Sequence, residues 1–133
     1  MKVFLLLCFS QIFIAATCNK TTSAKPGATK NISACYKARL AIKGACMNYV
    51  IEVLEGDTAH LALEKKWTDE TDQKTYTNVF ALGSRCTFPD IAEGDTLYFT
   101  LIDSADANCN VCMAYRPVPA AKNYILVSKT PCP

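Results

Sequence analysis

Few residues in this chain are placed to do chemistry, and each candidate has a limit that its neighbours set. His60 is the only histidine, so a multi-histidine zinc site is excluded and at most one imidazole could serve as a general base. No Gly-x-Ser-x-Gly elbow accompanies it, and the cysteines read as oxidised, which leaves His60 without a nucleophile to activate. Cys109-Asn110-Val111-Cys112 has the C-x-x-C spacing at which a low-pKa thiolate at a helix N-terminus attacks a substrate disulfide. Its surroundings are β-prone, so the two sulfurs read as structural half-cystines going to different partners. A four-cysteine zinc site would need a second such pair. Asp69, Glu70 and Asp72 offer oxygen ligands, but they lack the spacing, central glycine and terminal glutamate of a calcium loop and read as a solvated turn. Trp67, just before them, is a candidate binding anchor, because large aromatic side chains dominate interface energetics. The residues therefore predict no catalytic site, no metal and no cofactor, and make Trp67, Asp69 and Glu70 candidate contacts.

The elements that would position these side chains read as strands. Residues 47–54 alternate around Tyr49, Ile51 and Val53, residues 58–64 around Ala59, Leu61 and Leu63, and residues 96–102 around Leu97, Phe99 and Leu101. Residues 74–82 and 109–116 are weaker candidates, giving about five strands. Glu55-Gly56-Asp57-Thr58 and Glu93-Gly94-Asp95-Thr96 repeat one tetrapeptide, each read as a turn leading into a strand. Pro117, Pro119, Ala120 and Ala121 predict a break followed by a short C-terminal helix, in competition with the β-prone run 124–127.

The N-terminus sets the compartment. Lys2 precedes an apolar run over residues 3–14, followed by the small residues Ala15, Ala16, Thr17 and Cys18. This is the pattern of a cleaved signal peptide, too short to span a bilayer. Seven cysteines follow Cys8, and a cut after Cys18 leaves six, which can pair completely in an oxidising compartment. The expected organisation is a signal peptide over 1–18, a polar, flexible arm over 19–34 carrying the N-glycosylation sequon at Asn31, and one domain over 35–133. Without Lys2 the chain carries 13 basic and 12 acidic residues. This balance argues against nucleic acid as a partner, and no later run is apolar enough for a membrane anchor.

From Cys35 onward the chain resembles the netrin-like module, the barrel shared by tissue inhibitors of metalloproteinases and the C-termini of complement components. The resemblance rests on Cys35, on Ala45-Cys46-Met47-Asn48 opening the strand from Tyr49, on Cys86, on the strand after Gly94, on the Cys109/Cys112 pair and on Cys132. Within that family it is most similar to the small excretory-secretory netrin-like proteins of hookworms and other nematodes. The resemblance implies a mainly β fold, a five-stranded OB-like barrel with a short C-terminal helix, stapled by disulfides. It also implies a Cys46–Cys132 bridge, with Cys35 and Cys86 pairing with the Cys109/Cys112 set. Cys35–Cys109 with Cys86–Cys112 is the preferred arrangement, and the swapped one stays open.

The expected function is that of a secreted, monomeric, non-enzymatic module binding an extracellular protein, modulating host immune or inflammatory proteins as the resemblance implies. Its expected contacts are the loops 67–74 and 104–108. A second reading is metalloproteinase inhibition with Cys35 and Tyr36 as the wedge. In that family the inhibitor's first residue is a cysteine whose free amine chelates zinc, whereas an arm precedes Cys35 here and makes its nitrogen an amide. A third reading is a small-ligand carrier, which a barrel of this size, filled by its own side chains, does little to favour.

Overall fold

The computed structural model describes residues 34–104, 108–128 and 130–133. The expected signal peptide over 1–18, all but the last residue of the expected arm, Asn31 and residues 105–107 of the expected contact loop 104–108 lie outside the described residues. Among the described residues seven strands form one sheet: β1 (Cys35–Lys43), β2 (Tyr49–Glu55), β3 (Glu64–Thr68), β4 (Thr75–Leu82), β5 (Thr96–Leu101), β6 (Lys122–Asn123) and β7 (Ile125–Ser128). Their order is β3-β4-β2-β1-β5-β7, with β6 beside β4. All pairs are antiparallel except β4 with β6. Among the described residues no helix is long and apolar enough to cross a membrane.

The longest strand, β1, was not among the five expected. Its sequence CYKARLAIK turns Tyr36, Ala38 and Leu40 inward and Lys37 and Arg39 outward, the period of two that a sheet requires. The register then slips: Leu40 faces Ile51 but Ile42 faces Val50, so Ala41 is the extra residue of a bulge. Before the bulge, β1 feeds the main core, where Tyr36 stacks on Phe99 at 5.0 Å between ring centroids and Phe80 meets Phe99 edge-on at 5.8 Å. After it, Ala41 and Ile42 join Val50, Tyr76 and Val79 in a second cluster, against which Trp67 and Val118 pack. One chain thereby serves two apolar clusters.

The repeated tetrapeptide has two fates. At Glu93-Gly94-Asp95-Thr96, Asp95 N–H closes a turn on the Ala92 carbonyl at 3.2 Å and the chain enters β5. At Glu55-Gly56-Asp57-Thr58, the Asp57 carboxylate instead accepts from Ala59 N–H at 3.0 Å and caps a 3₁₀ turn over Thr58–His60. The expected strand over 58–64 is therefore absent, and β3 starts only at Glu64.

The expected strand over 109–116 and the C-terminal helix are absent too. Residues 109–121 run irregularly, and only their end is tied to the sheet strands: Ala81 N–H donates to the Ala121 carbonyl at 2.8 Å, and Ala120 N–H donates to the Glu64 carboxylate. Gly83 N–H then donates to the Asn123 carbonyl at 2.8 Å. Beyond Tyr124, Ile125 engages the Ser84 hydroxyl through both its N–H and its carbonyl, at 2.9 and 2.7 Å.

Six cysteines pair as Cys35–Cys132, Cys46–Cys112 and Cys86–Cys109. None of the three expected bridges, Cys46–Cys132, Cys35–Cys109 or Cys86–Cys112, forms. The geometry of β1 gives the reason: Cys35 opens this nine-residue strand and Cys46 follows its far end, roughly 30 Å away at strand rise. Both β1 and β7 flank β5, so the chain end after β7 meets Cys35 and not Cys46.

Tyr36 is fully buried, and its hydroxyl has no hydrogen-bond partner among the described residues. Burial, and then the Asp57 charge, push the phenol above its ordinary pKa. Removing an unpartnered buried hydroxyl while keeping the ring is expected to stabilise. The substitution Tyr36→Phe should raise the unfolding free energy by about 1 kcal/mol, measured by urea titration of the oxidised protein.

Candidate functional site

The sequence-derived candidates do not meet at one place. Trp67 on β3 is half-buried, its ring 6.0 Å from Tyr76, and is part of the second apolar cluster. Tyr36 is core, and Cys35 is bridged to Cys132. Glu70 is exposed at the tip of the β3–β4 hairpin, and His60 is exposed at the end of its 3₁₀ turn. Among the described residues no three His, Cys, Asp or Glu side chains are grouped to hold a metal ion. A cleft of about 330 Å³ beside the Cys35–Cys132 bridge is walled by Lys37 and Glu55, whose charges are spent on each other at 2.6 Å.

Asp69 has a role that its exposed-turn reading missed. It is fully buried and pairs with the Arg116 guanidinium at 2.7 Å, Nη2 to Oδ2. Its other oxygen accepts from Thr71 N–H at 2.9 Å, and its backbone closes the hairpin through Lys74 and Gln73. Burial by itself would raise this carboxyl's pKa. The hydrogen bonds from Thr71 and the charge and hydrogen bond of Arg116 outweigh it and hold the carboxyl below its ordinary value.

Arg116 ends a segment that nothing in the sequence marked as a surface. Residues 112–115 are four consecutive exposed residues, with Met113 fully exposed and Tyr115 91% exposed. Single exposed apolar residues are ordinary on a protein surface; these two stand two residues apart on a segment anchored at Cys112, Ala114 and Arg116. Cys112 is bridged to Cys46, and Cys109 to Cys86. The Ala114 carbonyl accepts from Asn48 Nδ2 at 2.7 Å, and Arg116 is locked to Asp69. Asn48 is itself oriented, since the same amide nitrogen donates to the Ala45 carbonyl at 2.9 Å.

No family model, curated protein or solved structure matches the chain. The site is therefore read on its own geometry. The platform under the loop carries backbone cost: Cys46 and Met47 both have left-handed φ, 54° and 56°, which side-chain-bearing residues adopt rarely. Such conformations persist where surrounding structure enforces them and concentrate at functional positions. Here they aim the Cys46 sulfur and the Asn48 amide at the loop. The available sequence signal was weak: two large apolar residues, Met113 and Tyr115, between Cys112 and Pro117.

Proposed function

We propose that the chain is a secreted, non-enzymatic module that binds an extracellular protein through the loop around Met113 and Tyr115. The observation that carries this reading is the combination, in residues 112–116, of the nearly complete exposure of Met113 and Tyr115 with anchoring by a disulfide, an amide hydrogen bond and a partly buried ion pair. A pre-organised backbone lowers the ordering cost of association, and exposed Met and Tyr are the side chains that interfaces enrich. Three disulfides accord with an oxidising compartment.

The fold proposed beneath it is the five-stranded OB-like, netrin-like barrel. In support, β6 lies on β4 and β7 lies on β5, with only Tyr124 between them. A path through β4, β2, β1, β5 and the β6–β7 segment thus returns to β4. An action on host immune or inflammatory proteins belongs to this reading through the netrin-like resemblance. Inhibition of a metalloproteinase by a Cys35–Tyr36 wedge is less favoured, because Tyr36 is core and Cys35 is tied to the chain end.

The test is capture from extracellular fluid on the immobilised oxidised protein. A Met113→Asp/Tyr115→Asp variant is expected to weaken capture by about 30-fold or more, the scale of a hot-spot loss, while Glu70→Ala leaves it unchanged. Both target residues are at least 91% exposed, so folding is not at stake. Equal capture by the double variant would overturn the reading.

A further inference from the structure

We infer that residues 112–116 form an inhibitory loop that enters the substrate cleft of a serine endopeptidase, with Met113 filling an apolar primary pocket. This deepens the protein-binding reading and rests on it. Cys112, Met113, Ala114 and Tyr115 are all exposed in succession, which leaves the segment accessible to a cleft on a partner. The features offered are a length of main chain and large apolar side chains at alternate positions. An endopeptidase cleft recognises that combination. Met113 has no charge to pair, so the pocket it suits is apolar and not acidic.

The anchoring distinguishes an inhibitor from a substrate. The Met113–Ala114 bond is held on both sides within one residue, by the Cys112–Cys46 bridge before it and by the Asn48 bond to the Ala114 carbonyl after it. In a serine endopeptidase, the serine hydroxyl adds to the Met113 carbonyl carbon. Its proton passes to the enzyme's general base and on to the Ala114 nitrogen as the C–N bond breaks, leaving an acyl ester on Met113 and a free amine on Ala114. In an ordinary substrate that amine diffuses away and water completes hydrolysis. Here Asn48 holds Ala114 and Asp69 holds Arg116, so the amine stays beside the ester and attacks it in reverse. The peptide bond and the free serine are restored, and turnover stalls. A metalloendopeptidase forms no acyl intermediate for the tethered amine to reverse, and the oxidising surroundings in which three disulfides persist favour a serine over a thiol nucleophile. Asn48 is a positioning residue in this scheme, with both of its amide hydrogens committed, to Ala45 and to Ala114.

The experiment uses the intact oxidised protein with chymotrypsin, whose pocket is apolar, and trypsin, whose pocket is acidic. The native protein is expected to inhibit chymotrypsin and to spare trypsin. Met113→Arg should reverse that preference, each inhibition constant moving on the order of 100-fold, as loss of a central anchor does. Asn48→Ala should turn the inhibitor into a substrate, read by N-terminal sequencing as a new terminus at Ala114 that accumulates faster than in the native protein. Absence of chymotrypsin inhibition at about 10 μM, a weak-binding threshold, would overturn the inference, as would inhibition indifferent to Met113→Arg. If inhibition is absent while capture still depends on Met113 and Tyr115, this inference fails and the binding reading stands. Loss of both overturns both.

Discussion

Replacing Cys35 and Cys132 together by alanine is expected to lower the unfolding free energy by on the order of 4–5 kcal/mol. The bridge joins residues 97 apart in sequence, and its main effect is on the unfolded chain, which loses loop-closure entropy when the two ends are linked. The other two bridges provide an internal scale, since Cys46–Cys112 spans 66 residues and Cys86–Cys109 spans 23. Because closure entropy grows only as the logarithm of loop length, removing the shortest bridge by the same double replacement should cost roughly 1 kcal/mol less than removing the longest. Urea unfolding of the three double variants checks the order. The m-value should rise most for the Cys35/Cys132 variant, whose unfolded state expands most. A domain of this size holds about 5–15 kcal/mol in total, so this variant should be partly unfolded well below the native midpoint. A larger loss for Cys86/Cys109 would mean that native-state contacts, and not closure entropy, dominate these bridges.

The parts of this fold legible in the sequence are those where local pattern and tertiary burial agree. Strands β2 and β5, read from their apolar patterns, and β4, a weaker candidate, have bounds within two residues of expectation, although β2 and β4 bury consecutive residues where they feed both clusters. Strand β1 was hidden because its alternation includes Lys37 and Arg39 and then breaks at the Ala41 bulge, so no single period describes it. The false strand over 58–64 has the opposite cause, a good alternating pattern overridden by one side-chain cap at Asp57. Disulfide pairing depends on which strand ends meet in space, and neither spacing nor resemblance supplied that. At the candidate site, Trp67 and Asp69 were noticed, but their chemistry turns inward, to the second apolar cluster and to Arg116. Met113 and Tyr115 were passed over inside an apparent strand, since apolar character alone does not separate a buried side chain from a presented one.

Arg116→Ala is the second large effect expected, about 3 kcal/mol or more, because it strands a fully buried carboxylate. The two partners are not equivalent. Asp69 has no access to water, whereas the Arg116 side chain is 27% exposed and can rehydrate when its partner is lost. The double variant D69A/R116A should therefore be more stable than R116A alone, although it lacks one more native group. Acid titration gives an independent reading of the same pair. In the native protein the folded Asp69 carboxyl lies below its unfolded value, so its stabilising contribution is complete above the unfolded pKa of about 4 and disappears as pH falls through the folded one. Removing Arg116 takes away its charge and its hydrogen bond, so the folded carboxyl rises, with the Thr71 hydrogen bonds left to oppose burial. The carboxylate then contributes less to the stability of R116A at neutral pH than to that of the native protein, and the difference disappears as acid protonates both. The stability gap between the native protein and R116A should accordingly be widest at neutral pH and narrow as pH falls through the carboxylate range, measured by urea midpoints across that interval. The same substitution releases one end of the loop bearing Met113 and Tyr115, so partner capture at neutral pH should weaken even under conditions where the R116A domain remains folded. Unchanged capture by folded R116A would show that the Cys112 and Asn48 anchors suffice to present the loop.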